Sequence, residues 1–202
     1  MEISMKFLGL FIIVVCIISA AGKKHARKQR DVNDAFWDRE TAANYVRKKD
    51  ISSLPYIIIP LEKFPIGIEK NDELLEYESA LKQLSEKKIL NLSSQTNTDL
   101  KLAYGPANLP ALSEYDQNFS TLCTTLSAYG ERLLALGHED EARVVLEYGV
   151  EIGSDISKTY LTLAGIYQKH GLTTELAHLK ECAEKLDSIM KRTILTRLAE
   201  IS

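Results

Sequence analysis

The sequence has few of the residues that mark disordered, fibrous or disulfide-stapled chains. Its 202 residues include only ten glycines and five prolines, too few for a fibrous or low-complexity chain. Three cysteines, at positions 16, 123 and 182, are too few and too far apart for a disulfide framework. With 45% hydrophobic and 26% charged residues, the composition predicts one ordinary domain with a packed core.

The sequence also lacks the short motifs of common enzymes and metal sites. It contains no nucleophile elbow, phosphate-binding loop, dinucleotide fingerprint, zinc-protease motif or kinase signature. His178 and Cys182 are four residues apart, the spacing of two ligands on a zinc helix, but a second pair is missing. Cys123 could in principle act as a nucleophile with His138 or His170 as its base, but no residue close to it in sequence would activate the thiol. We therefore expect no enzyme, no cofactor and no bound metal.

The charges are unevenly distributed along the chain. Residues 23–50 carry nine Lys or Arg against five Asp or Glu, whereas residues 51–202 carry fifteen against twenty-two. The first segment is therefore a basic stalk and the remainder an acidic domain. Because an acidic surface repels the phosphate backbone, the domain is not expected to bind nucleic acid.

The N-terminal segment is strongly apolar. Residues 7–22 have no charged side chain, and residues 3–6 extend the run to about the 20 residues that cross a bilayer. We therefore predict a transmembrane anchor over residues 1–22, with residues 3–22 in contact with the membrane. The alternative is a cleaved signal peptide, because the small residues at positions 19–22 resemble a cleavage site.

Basic residues directly follow the apolar run and predict its orientation. Positive residues beside a span usually stay in the cytoplasm, so we expect a single-pass protein of the cell membrane with a cytoplasmic C-terminal domain. These same side chains are candidates for contact with anionic lipid. They are Lys23, Lys24, Arg27, Lys28 and Arg30.

Residues 51–118 predict a connector followed by a degenerate hairpin. Three of the five prolines lie around an isoleucine run in residues 51–67, which favours an extended segment with a buried middle. Apolar residues at steps of three and four then predict a helix over residues 72–87. We expect this helix and the next one to form the first hairpin.

Residues 119–202 contain an internal repeat of 34 residues. Gly137 and Gly171 are one repeat apart. Small residues also recur at equivalent places, where they allow two helices to cross closely. These crossing residues are Gly130, Gly149, Ala164 and Ala183.

The repeat resembles the tetratricopeptide (TPR) family, and the overall plan is similar to bacterial TPR proteins tethered by one N-terminal span. The resemblance implies an all-α fold in which an anchor and a connector precede a stack of helical hairpins. A C-terminal capping helix, with Ile189, Ile194, Leu195 and Leu198 inward, completes it. Neither unit has the opening Trp, and Ser154 and Ser188 replace the closing Pro. The alternative is that these are two ordinary amphipathic hairpins and that their 34-residue spacing is a coincidence.

The resemblance also implies where a partner protein would bind. In TPR domains the first helix of each hairpin lines the groove. TPR domains that hold a chaperone's C-terminal carboxylate resemble one another in placing Lys and Asn where this chain has Ser127 and Glu131, so such a carboxylate would meet a negative charge here. An apolar or basic helix, or an extended segment, is the expected ligand. The alternative is that residues 51–67 or the C-terminal helix cover this face. The implied positions are Ser127, Glu131, Leu134, Leu161, Gly165, Gln168 and Lys169.

The sequence thus predicts a membrane-tethered scaffold that mediates protein–protein interaction at the cytoplasmic face. The first alternative is an extracytoplasmic TPR-like binding protein that signal cleavage releases. The second is an enzyme with an unrecognised site in residues 51–117.

The mass of the mature chain distinguishes the anchor from the cleaved signal. If residues 1–22 form an anchor, intact-mass measurement of the purified protein should find them retained. A mature chain that begins at or near Gly22 would contradict the anchor.

Overall fold

The computed structural model describes residues 30 and 32–201, and in this part of the chain it contains eight α-helices and no strand. The prediction of an all-α fold is confirmed. Two short 3₁₀ turns, Leu61–Lys63 and Pro106–Asn108, lie between the helices. The helices are α1 (residues 32–44), α2 (Asp72–Ser85), α3 (Asn97–Tyr104), α4 (Leu109–Ala135), α5 (Glu139–Glu151), α6 (Ser157–Lys169), α7 (Thr173–Lys185) and α8 (Lys191–Glu200).

The predicted transmembrane segment, residues 1–22, lies outside the described residues. Among the helices of the described part, none is both long enough and apolar enough to cross a membrane.

Helix α2 begins where its sequence provides an N-cap. The Asn71 side chain accepts hydrogen bonds from the backbone N–H groups of Glu73 and Leu74, at 3.1 and 3.3 Å, and these are donors that a helix start leaves unpaired. The buried residues Leu74, Leu81 and Leu84 recur at helical spacing, as the sequence pattern predicts. The helix ends at Ser85, two residues before the predicted limit.

The expected hairpin between α2 and the next helix does not form. Helix α3 has only eight residues and is capped by Gly105, and the chain enters the long helix α4 directly after the short turn at Pro106–Asn108. Helix α2 packs against α4, while α3 packs against the start of α4. The predicted boundary between residues 118 and 119 therefore falls inside one continuous helix.

The connector packs across α2, α4 and α5. Ile59 and Phe64 are buried in a core cluster with Leu74, Leu122 and Leu126. Hydrogen bonds hold the connector on both sides of these residues. The Ile58 carbonyl accepts a hydrogen bond from Tyr148 Oη, and the Pro65 carbonyl accepts one from Tyr129 Oη, each at 3.0 Å. The Gly67 N–H donates to Glu78 Oε1 at 2.8 Å.

The second half of the domain consists of two successive helical hairpins. Helices α4 and α5 pair, α6 and α7 pair, and α8 packs against α6 and α7. Gly137 and Gly171 occupy the two equivalent turns, with φ of +90° and +67°. Helix α8 buries Ile194 and Leu198, but Ile189 is 94% exposed because it precedes the helix. The prediction that Ile189 faces inward was therefore wrong.

Small residues allow the helices to approach each other. An added Cβ at Gly130 would lie 2.5 Å from Leu146 Cγ, which is closer than carbon atoms can approach. At Gly149 it would meet Thr159 Cγ2 at 3.6 Å, an ordinary contact. Ala164 and Ala183 are fully buried. All four predicted crossing residues thus lie at contacts or in the core.

Replacing Ala164 by Leu should destabilise the domain, because the fully buried methyl group has no room for a larger side chain. We expect a loss of about 1–3 kcal/mol of unfolding free energy, measured by denaturant unfolding. The matched control, Gly165→Leu, introduces the same side chain one position later into open space. It should leave stability unchanged or raise it by up to about 1 kcal/mol through helix propensity. Equal effects at the two positions would contradict this packing.

Candidate functional site

Three residues of the predicted groove face contribute to the core. Ser127 is only 5% exposed. Half-buried Leu134 packs against two core clusters, the first with Leu122 and Leu126 and the second with Leu146, Tyr160 and Leu163. Half-buried Leu161 packs against the second cluster. Their side chains therefore stabilise the stack and offer little free surface to a partner.

The polar residues of the same face contact other parts of the chain. Glu131 forms an ion pair with Lys158 of α6, and Lys169 forms one with Glu139 of α5. Lys169, and then His170, hold the pKa of the Glu139 carboxyl below its usual range. These pairs link successive helices at the surface.

Gln168 and Gly165 complete the predicted face. Gln168 Nε2 donates to the Ile201 backbone carbonyl at 2.6 Å, which links α6 to the end of α8. Gly165 is exposed, and an added Cβ would have no neighbour within 4 Å. The structure therefore spreads the seven residues over core, ion pairs and open surface.

Of the two segments considered as occupants of this face, α8 contacts α6, whereas residues 51–67 pack on α2, α4 and α5. Next to Leu161, a concavity of about 650 Å³ opens between α6 and α8. Its charged lining residues are Lys158, Arg197 and Asp155. A basic ligand would meet two positive charges here, so this concavity suits the predicted partner poorly.

A larger groove lies between the second helices of the two hairpins, α5 and α7. This α5–α7 groove has a volume of about 750 Å³, within the range of about 300–1,000 Å³ typical of binding sites. Half-buried or buried apolar side chains line it, and charged side chains surround them. The apolar lining residues are Val150, Leu163, Leu179 and Leu186.

The charged lining of the α5–α7 groove is predominantly acidic. Three exposed carboxylates, Glu147, Glu151 and Glu175, contribute to it, against one lysine, Lys185. Glu147 also accepts a hydrogen bond from Tyr167 Oη at 2.8 Å, which fixes the position of that carboxylate. A cationic ligand with an apolar face would complement this groove.

Comparison of the chain with protein-family models, curated proteins and solved structures found no match.

The α5–α7 groove lies between the second helices of the hairpins, whereas the sequence predicts a ligand on the first helix of each hairpin. The available signal was the series Glu147, Glu151 and Glu175, which lie outward on the second helices. Their convergence on one groove depends on how the hairpins stack. That arrangement is a tertiary property and is not visible in the spacing along either helix.

The thiol and imidazole groups predicted as a possible catalytic pair have other surroundings. Cys123 is buried, and that burial raises the pKa of its thiol to about 12. His138 pairs with Glu69 at 2.9 Å, and His170 pairs with Glu139. A protonated, buried thiol is a poor nucleophile.

On α7, His178 is exposed and Cys182 is partly exposed, with His178 Nε2 3.5 Å from Cys182 Sγ. Across the described part of the chain, no group of three or more His, Cys, Asp or Glu side chains is arranged to hold a metal ion.

The region considered for an unrecognised enzyme site contains a cavity of about 240 Å³. The cavity is lined mostly by apolar side chains, and its polar groups are two amides and a phenol. None of its lining side chains is a carboxylate, an imidazole, an amine or a thiol. The lining residues are Leu54, Pro55, Ile57, Leu90, Asn91, Leu92, Gln95, Tyr104 and Ile152.

Of the residues predicted to contact anionic lipid, Arg30 is described and exposed. Lys23, Lys24, Arg27 and Lys28 lie outside the described residues.

Alkylation should distinguish the two cysteines of the folded domain. Partly exposed Cys182 should react with iodoacetamide at about pH 8, whereas Cys123 should react only after unfolding, because it is buried and protonated. Peptide mapping by mass spectrometry measures both sites in one sample. Comparable modification of Cys123 in the native protein would contradict its burial.

Proposed function

We propose that the chain is a membrane-tethered helical scaffold that binds another protein and catalyses no reaction. The observation that carries this proposal is the α5–α7 groove, a concave apolar surface with three carboxylates and one lysine. Grooves of this composition accept amphipathic segments, whose apolar side chains bury in the groove while their charges pair at the edge. None of its geometry requires a cofactor.

The proposed repeat type is that of the TPR family. It is supported by two successive hairpins, by equivalent turns at Gly137 and Gly171, and by small residues at the crossings. The packing of α8 against the last hairpin supports its role as the capping helix, since it buries Ile194 and Leu198. Repeat stacks commonly bind other proteins through the surfaces between neighbouring units.

The proposed location is the cytoplasmic face of the cell membrane, with the apolar residues 3–22 as the tether. Basic residues directly after this run favour that orientation. The alternative, an extracytoplasmic binding protein released by cleavage, would leave the α5–α7 groove unchanged and alter only its compartment.

The expected partner segment is a basic amphipathic helix. Arg143 lies 3.6 Å from Glu147, so the excess negative charge of the groove comes from Glu151 and Glu175 against Lys185. Val150 and Leu186 offer half-buried apolar surface between these charges. Lys and Arg at the edges of an apolar stripe would match both features. The face formed by the first helices, from Ser127 to Lys169, is the second candidate surface for the same partner class.

Charge reversal in the groove should weaken binding of such a ligand. We expect Glu151→Lys combined with Glu175→Lys to reduce the affinity for a synthetic Leu/Lys amphipathic helix by roughly tenfold, because two attractive pairs become repulsive. Fluorescence anisotropy of the labelled peptide against the full chain measures the change. The matched control, Glu76→Lys with Glu86→Lys, alters net charge equally at exposed sites on or beside α2.

The second candidate surface is tested in the same assay by Glu131→Lys combined with Leu161→Asp. Thermal unfolding of this variant must be recorded as well, because Leu161 packs against the core. A loss of binding in this folded variant, with full binding in the groove variant, would move the site to the first helices. Equal losses of affinity in the groove variant and its control would show that the peptide responds to the net charge of the protein and does not bind in the groove.

A further inference from the structure

The second half of helix α1 is fixed to the domain. Ala43 is fully buried, Arg39 forms an ion pair with Asp99, and Glu40 pairs with Lys101 and accepts a hydrogen bond from Thr98. All these partners lie on α3. Helix α1 therefore has a defined orientation relative to α3.

The chain that follows α1 strengthens this attachment. The Lys49 N–H donates to the Tyr104 carbonyl at 3.0 Å, and the Asn108 side chain donates to the Lys49 carbonyl at 2.8 Å. An added Cβ at Gly105 would lie 2.6 Å from the Arg47 carbonyl oxygen. Only glycine allows the two backbones to approach so closely.

The first half of α1, by contrast, projects beyond the packed core. Every residue from 32 to 39 is exposed, including Val32 at 61%, Phe36 at 52% and Trp37 at 58%. The two aromatic rings pack edge to face with their centroids 5.4 Å apart. Three large apolar side chains within six residues form one exposed surface, here named the α1 apolar edge.

The acidic side chains in the first half of α1 lie away from two of these residues, and Arg39, which shares their face seven residues after Val32, pairs with Asp99. Val32 and Phe36 are four residues apart and share one face of the helix, whereas Asp34 and Asp38 share the opposite face. The helix half is thus amphipathic without a protein core to pack against. An amphipathic helix with aromatic residues is typical of the membrane interface, where a ring places its apolar body in lipid.

The position of α1 in the chain identifies the occupant. Val32 follows the end of the apolar run at Gly22 by ten residues, and even a fully extended segment of that length spans at most about 36 Å. The α1 apolar edge therefore stays within reach of the bilayer that residues 3–22 would cross. Basic residues fill most of the intervening positions near Gly22 and favour the same surface.

We propose that the α1 apolar edge inserts into the headgroup region of the phospholipid bilayer, and that α1 thereby holds the domain in one orientation on the membrane. This inference rests on the proposed membrane tether. Its energetic basis is the removal of Val32, Phe36 and Trp37 from water. Because α1 is attached to α3 by ion pairs and backbone contacts, lipid contact at one end fixes the whole domain.

Trp37 is the only tryptophan of the chain, so its fluorescence reports this contact directly. The full chain is reconstituted in bilayers that carry bromine on either the upper or the terminal part of the acyl chains. Interfacial helices bury their apolar face by about 5–10 Å. Bromines on the upper part of the acyl chains should therefore quench Trp37 fluorescence strongly, and terminal bromines should quench it weakly. Acrylamide in the water should quench Trp37 less in the unmodified chain than in the Val32→Asp/Phe36→Ser variant.

The matched control is Tyr45→Ser, which removes an 85% exposed aromatic side chain just after α1. It should leave both kinds of quenching unchanged. Strong acrylamide quenching of Trp37 with no bromine quenching would overturn the proposal. Protection from acrylamide without bromine quenching would also overturn it, because a protein would then cover the edge.

Failure of the tether is measured separately in the same preparation. Resistance to carbonate extraction and the intact N-terminus establish whether residues 3–22 are integrated. If they are not, the released chain is added to brominated vesicles of phosphatidylcholine and phosphatidylglycerol. Bromine quenching of Trp37 in these vesicles would support the contact of α1 with lipid even without the tether. Absence of this quenching would reject both the tether and the α1 contact.

Discussion

The close crossing of α4 and α5 at Gly130 is the constraint on which the stack depends. A Cβ at this position would collide with Leu146 Cγ at 2.5 Å, so the leucine lies directly over the bare backbone of α4. From there Leu146 belongs to the second core cluster, together with Tyr160 and Leu163 of α6. One missing methyl group thus allows the first hairpin to pack against the second.

Helix α4 extends this arrangement toward the N-terminal half. Its 27 residues contact α2, α3, α5 and α6. The connector is held against the same helix, because Tyr129 donates to the Pro65 carbonyl and Glu78 accepts from the Gly67 N–H. The groove proposed for a partner and helix α1, for which lipid contact is proposed, therefore belong to one continuous set of packed helices.

Much of the helical plan could be predicted from the sequence. The cap at Asn71, the turns at Gly137 and Gly171 and the crossing at Gly130 depend on local chemistry, which the spacing of residues reveals. The length of α4 could not be predicted this way. The sequence predicts a boundary between residues 118 and 119, but α4 already starts near Pro110, because proline in the first turn of a helix needs no N–H partner, and the helix continues through that boundary.

The candidate site was less predictable than the fold. Residues such as Glu131 and Lys169 have the composition of a binding face, but their partners, Lys158 and Glu139, come from other helices and are known only once the hairpins are stacked. The carboxylates of the α5–α7 groove converge for the same reason. The TPR relationship, the membrane tether and the partner stay predictions.

A double-mutant cycle between Gly130 and Leu146 tests the central constraint most directly. Gly130→Ala alone should cost roughly 1–3 kcal/mol of unfolding free energy through overpacking. In the Leu146→Ala background the same change should become neutral, or stabilising by up to about 1 kcal/mol, because the collision is removed and alanine favours the helix. Additivity of the two changes within about 0.5 kcal/mol would show that the residues do not constrain each other, and would contradict the account.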